Sequence, residues 1–294
     1  MSGAIAGTAI LNTKPEEKLQ TITLTVNNKC NLKCSHCYLQ DDDTGFVDSE
    51  ILNKVIKSTA KHIVIVGKEP LADIEKTSQT IQLLNENGKQ VSMVTNGINL
   101  HKMDRNILKM LKYIDISMDG GPKTYSRSNY ETILKNLELH PNTNILHTIY
   151  NENLENINDM LEVPHKIMMF SPYLITDNKG INTVTPASLK KIIKAFSKSK
   201  IKEYPNAYLM IDTYHLEQDK LTVSELETQI KEVGLEQNII LIKQDALEHG
   251  IVRVTHNGKI LTPSDSLHTQ RYDFTGREVG NIDEQYKEFC SVGV

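Results

Sequence analysis

Apolar residues along this chain fall into short runs, separated by stretches in which they recur every three or four positions. Thr21-Ile-Thr-Leu-Thr-Val26 alternates strictly, the period of a strand with two different faces. His62-Ile-Val-Ile-Val66 and Val91-Ser-Met-Val94 are denser and read as strands buried on both sides. Strands are predicted at about 21–26, 62–66, 91–95, 113–118, 144–150 and 166–174. Between them lie helical patterns. Asp48 to Ser58 carries apolar residues at Ile51, Leu52, Val55 and Ile56 behind a capping Asp48 or Ser49, and Thr77 to Asn87 and Arg105 to Leu111 behave alike. Strand–helix repeats with apolar strands predict a parallel sheet covered by helices. Six repeats predict an open barrel, an α/β partial (β/α)6 fold, with its site at the strand C-termini.

Near Thr176-Asp-Asn-Lys-Gly180 the repeat breaks. Beyond it the pattern predicts a helix over 186–198, a strand over 207–211, a helix over 222–233 and a strand over 238–242. Ile251 to Leu261 reads as a hairpin built on Asn257-Gly258. The expected organisation is an N-terminal tail (1–18), a barrel (19–178) and a smaller α+β C-terminal region (179–294).

Directly after the first strand comes Cys30-Asn-Leu-Lys-Cys34-Ser-His36-Cys37. Three thiolates on one loop can hold three corners of a [4Fe–4S] cluster and leave the fourth iron open to a substrate or cofactor. A structural zinc site wants a fourth ligand. His36 sits between two cysteines, poorly placed to share a metal with both, and Cys290 is distant in sequence though not thereby in space. A disulfide would leave one of the three unpaired. The spacing favours the iron–sulfur cluster over zinc.

These residues resemble the radical SAM enzymes, whose cluster motif is C-x3-C-x-aromatic-C on the loop after the first barrel strand. Cys30, Cys34 and Cys37 match as metal ligands, and His36 takes the aromatic position, where the resemblance implies packing against the adenine of S-adenosylmethionine. Gly67-Lys68-Glu69-Pro70 looks like the family's G-G-E-P, which binds the methionine amino group, with Lys68 in place of the second glycine. The resemblance thus implies that Gly67 and Glu69 bind the cofactor, Glu69 through a charge-assisted hydrogen bond to the ammonium. Thr95-Asn96-Gly97, Ile116-Ser117-Met118-Asp119-Gly120 and Tyr150-Asn151-Glu152-Asn153-Leu154 are similar to the endings of the third, fourth and fifth strands. They add Asn96, Ser117 and Asp119 as cofactor-binding candidates. Ser117 and Asp119 would meet the ribose, or else serve as polar residues capping the next element. In order and spacing the resemblance covers about the first 175 residues.

The hairpin and Gly280-Asn281-Ile282 are similar to a SPASM or twitch domain, but no cysteine lies between them to hold an auxiliary cluster. One cluster is therefore expected, with the C-terminal region covering the substrate. The resemblance implies reductive cleavage of S-adenosylmethionine, fed by a flavodoxin- or ferredoxin-type electron donor, and hydrogen abstraction from a small-molecule or peptide substrate. Epimerisation, dehydrogenation, elimination and carbon–carbon bond formation all stay open. Cys290 is a candidate hydrogen donor to a substrate radical, or else a small buried hydrophobe. Tyr204, Tyr208, Tyr214 and Tyr272 are weaker donor candidates that equally suit packing.

Two alternatives are radical modification of RNA and a non-catalytic metal-binding role on a degenerate barrel. A net charge of −4 argues against nucleic acid, which needs a basic face. The intact triplet, Glu69 and Thr95-Asn96-Gly97 argue against degeneracy. Four cysteines, three in one loop, suit a reducing compartment. The first ten residues are mildly apolar without a basic flank, and no long apolar run follows, so no membrane association and a cytoplasmic location are expected.

Overall fold

A computed structural model of the chain describes residues 21–37, 45–125, 129–173, 184–212, 215–216, 219–242, 251–257, 259–261 and 280–281. Its framework is one mixed sheet of eleven strands in the order β11-β10-β9-β1-β2-β3-β4-β5-β6-β7-β8. The first six are β1 (Thr21–Thr25), β2 (His62–Val66), β3 (Gln90–Thr95), β4 (Leu111–Ser117), β5 (Thr143–Ile149) and β6 (Met168–Pro172). All pair in parallel with their sequence neighbours.

The parallel run does not stop at the sixth strand. β7 (Ala207–Asp212) and β8 (Ile239–Ile242) continue it, and β9 (Ile251–Val254) lies parallel on the other side of β1. β10 (Lys259–Leu261) turns back antiparallel on β9, as the Asn257-Gly258 turn predicts, and β11 (Gly280–Asn281) pairs with β10. The strand order is linear rather than closed. The result is an α/β partial barrel, with strands from beyond residue 179 built into the same sheet.

The crossovers carry α1 (Ser49–Lys57), α2 (Ile74–Glu86), α3 (Arg105–Lys109), α4 (Tyr130–Leu137) and α5 (Ile157–Leu161), and later α6 (Leu189–Lys198) and α7 (Val223–Val233). Asp48 caps α1 by accepting the Ile51 amide at 2.8 Å, which satisfies one of the unpaired N–H groups of the first turn.

Each central strand is buried on both faces, and its side chains sort by parity. Ile63, Ile65, Met93, Ile114, Ile116 and Ile145 join the large core packed under the helices. Val64, Val66, Val94, Leu146, Met169 and Met210 form a second cluster inside the curve of the sheet. Polar residues occupy the inner face as well. His62 shares a 2.9 Å hydrogen bond with Ser92 Oγ, and Asn144 Nδ2 donates to buried Asp115 at 2.8 Å. Among the described residues no helix is long and apolar enough to cross a membrane.

Candidate active site

The strand C-termini open onto a cavity. Cys30, Cys34, Cys37, His36, Gly67, Glu69, Asn96, Ser117 and Asp119 all line it, and its inner end is closed by apolar Val66, Val94 and Leu146. Nine residues scattered over the first 120 positions are brought to one mouth by parallel pairing, which sends the C-termini of β1 to β8 to the same side. Cys290 lies outside the described residues, as do Tyr214 and Tyr272. Tyr204 is engaged elsewhere, its ring stacked on His165 at 6.0 Å, and neither it nor Tyr208 lines the cavity.

Asparagines hold the cysteine loop in place. Asn27, buried just beyond β1, accepts the Lys68 amide on its carbonyl at 3.1 Å and the Lys29 amide on Oδ1 at 3.1 Å. Its Nδ2 donates to the Glu69 carbonyl at 3.2 Å. Gly67 has to be small, because a Cβ there would stand 2.8 Å from the Asn27 carbonyl oxygen. Asn96 Nδ2 reaches across to Asn31 Oδ1 at 2.7 Å, tying the end of β3 to the loop between Cys30 and Cys34. Asn136, on α4, donates to the Gly97 carbonyl at 2.6 Å and fixes the same turn from outside.

Glu69 is almost fully buried, at 1 % exposure. Its Oε1 accepts the Leu71 amide at 2.9 Å and the Thr95 hydroxyl at 2.6 Å, and Oε2 accepts the Asn96 amide at 2.6 Å. The carboxylate therefore joins the ends of β2 and β3 as well as lining the cavity.

On the opposite wall His36 Nε2 lies 3.6 Å from Asp119 Oδ1, with both side chains nearly buried. The Tyr150 ring is 5.8 Å from that of His36. Asp119 begins a loop that is clamped from α5. Asp159 accepts the Lys123 amide at 3.0 Å and the Thr124 amide at 2.9 Å, and the Thr124 hydroxyl at 2.5 Å. His147 holds the strand just before it. Its Nδ1 donates to the Met118 carbonyl at 2.7 Å, which fixes the tautomer and leaves Nε2 to accept from Asn153 at 3.2 Å.

The thiols themselves are half-buried. Leu32 N donates to Cys30 Sγ at 3.3 Å, while burial pushes the Cys30 thiol pKa up, reinforced by the Glu69 and Cys37 charges. Among the described residues, the ligand atoms that all fall within 4.8 Å of one another are those of Cys34, His36 and Asp119. The three thiols are not such a set, so at least one pair of them stands more than 4.8 Å apart, wider than one tetrahedral ion draws its ligands. A wider triad opening on a cavity suits three corners of a cluster, and the residues present fit that group.

Of these positions, sequence reasoning missed Asn27, Asn31, Asn136, His147 and Asp159. Asn27 alone had a local signal, an asparagine directly after a strand, where such residues organise turns.

The family model of the radical SAM superfamily matches residues 24–179. The chain belongs to that superfamily and is a radical SAM enzyme, whose cofactors are a [4Fe–4S] cluster and S-adenosylmethionine. Among curated proteins it is similar to the probable GTP 3′,8-cyclase of Methanococcus maripaludis (strain C5), 26% identical over 134 residues, 41% of this chain and 45% of that protein. The GTP 3′,8-cyclase of Clostridium botulinum (strain Hall) is 30% identical over 119 residues, 36% of this chain and 37% of that protein. The match thus spans less than half the length of these relatives. Among solved structures, native anSMEcpe with bound AdoMet and Cp18Cys peptide aligns with a TM-score of 0.61 at 17% identity, over 93% of this chain and 80% of that one. Streptococcus suis SuiB aligns at 0.56 with 14% identity, over 96% and 68%. At these identities the likeness is one of fold.

Proposed function

We propose that this enzyme abstracts hydrogen from a small-molecule or peptide substrate held at the barrel mouth, using one cluster carried by Cys30, Cys34 and Cys37. The observation that carries this reading is the convergence of the three thiols with His36, Gly67, Glu69, Asn96, Ser117 and Asp119 on one cavity. When bound, the cluster and S-adenosylmethionine supply a 5′-deoxyadenosyl radical, and the protein supplies position and dryness.

Each residue has a task in this reading. Gly67 and Glu69 bind the methionine end of the cofactor at the end of β2. His36 packs against the adenine, oriented by the Asp119 carboxylate 3.6 Å away. Ser117 and Asp119, at the end of β4, meet the ribose. Asn96 holds the cysteine loop through Asn31. The apolar end of the cavity (Val66, Val94, Leu146) keeps water from the reacting centre. Electrons come from a flavodoxin- or ferredoxin-type donor.

Residues 179–294 serve as the substrate-covering region, with β9 to β11 as what remains of a SPASM- or twitch-like element. The antiparallel pairing of Gly280–Asn281 with β10 supports that assignment. The cyclase relatives do not assign the substrate, because more than half of each lies outside the match.

Anaerobic reconstitution tests the reading. The protein should take up about four irons and four sulfides and, once reduced, convert S-adenosylmethionine to 5′-deoxyadenosine and methionine. Alanine at Cys30, Cys34 or Cys37 should abolish both. Tight zinc with no iron uptake would sink it.

A further inference from the structure

Lys68 stands where the family motif has a glycine, so it brings a charge that the motif does not. We propose that Lys68 offsets the negative charge gathered at the cysteine loop and thereby raises the reduction potential of the cluster held there. The inference rests on the cluster assignment above and adds a role to a residue outside it.

The backbone at this point is fixed from both sides. Gly67 packs against Asn27, the Lys68 amide donates to the Asn27 carbonyl at 3.1 Å, and Glu69 is anchored by three hydrogen bonds. Because Asn27 also leads into the cysteine loop, Lys68 is held alongside that loop, and the half-buried residue lines the same cavity as the three cysteines. Among the described residues lining the cavity, Lys68 is the one lysine or arginine, against the carboxylates of Glu69 and Asp119 and the three cysteines.

The electrostatic consequence is direct. Three thiolates outweigh the charge of an oxidised cluster core, so the assembly is anionic before reduction and more so afterwards. Reduction moves one electron from the flavodoxin- or ferredoxin-type donor, which is oxidised by one electron; no bond is made or broken and no proton moves. A fixed cation favours the more negative state, and net charge near the cluster is one of the terms that set its potential. The apolar inner wall limits the solvent screening that would otherwise weaken the effect.

The test is an EPR-monitored reductive titration of the reconstituted full-length protein without S-adenosylmethionine. It compares wild type with Lys68→Met, Lys68→Gly and Lys68→Arg. Glycine is the family's own residue here, so that variant keeps the comparison open should methionine disturb the fold. The two neutral variants should show at least a tenfold smaller equilibrium constant for reduction, a fall of about 59 mV for a one-electron couple. Arginine should stay near wild type. Unchanged midpoints at full iron content would overturn the role of Lys68 while leaving the cluster assignment standing. So would a loss of S-adenosylmethionine affinity with no change in midpoint. A wild type that takes up no iron would remove both.

Discussion

The Thr95 hydroxyl donates to Glu69 Oε1 at 2.6 Å, joining the C-termini of two adjacent strands inside the cavity wall. The bond is one of three on that carboxylate, and each donor belongs to a segment that lines or supports the site. Hydrogen bonds to a buried charge contribute roughly 1.5–3 kcal/mol each, and an unpaired partner costs comparably. Glu69→Gln turns an amide group toward at least one donor. It should lower unfolding stability by about 2–3 kcal/mol in urea titration and weaken S-adenosylmethionine binding in the same protein. Wild-type stability in the variant would mean that these bonds are not what joins the two strand ends.

The loop after Asp119 depends on a close backbone approach. A Cβ on Gly121 would lie 2.0 Å from the Asp159 carbonyl oxygen, a contact that only displacement of the loop can relieve. Gly121→Ala should therefore destabilise the protein by roughly 2–4 kcal/mol, in the range of overpacking with backbone shift. Asp159→Ala should instead leave the fold intact and speed hydrogen exchange at the Lys123 and Thr124 amides, the two it accepts. Unaltered exchange at those amides would show that the clamp is redundant.

His62 sets an acid limit on stability. Burial, with a smaller push from Lys112, lowers its pKa from 6.5 to about 4. The unfolded chain therefore takes up the proton first as pH falls. Above pH 6.5 the residue has no effect on stability. Between 6.5 and about 4 the folded state loses ground, and below that the loss levels off at about 3 kcal/mol. His62→Gln should flatten this part of the stability–pH curve measured by denaturant unfolding. An equally steep curve in the variant would assign the slope to other groups.

Cys290 is separable from the other three cysteines by iron content. Cys290→Ala should retain about four irons, whereas each triplet variant should lose the cluster. If Cys290 donates hydrogen to a substrate radical, the wild-type product formed in deuterated water should carry solvent deuterium at the quenched carbon. The alanine variant should then consume S-adenosylmethionine without completing the product. Full turnover by that variant would return Cys290 to a packing role.

The strands were legible because burial on both faces leaves a continuous apolar run, and His62–Val66 needs no knowledge of its neighbours to be read as one. The cysteine triplet was legible because its three residues sit on one loop, where sequence spacing stands in for proximity. Residues 207–211 and 238–242 also read locally as strands, but nothing local says which sheet a strand joins. Only the register of β7 on β6, β8 on β7 and β9 on β1 made the parallel run longer than six. The pairing of His36 with Asp119, the reach of Asn96 to Asn31 and the clamp of Asp159 on Lys123 and Thr124 were likewise settled by tertiary structure. Polar loop residues carry no periodicity, and their partners lie tens of residues away. Which of them meet depends on strand order and on where each crossover helix sets its ends down.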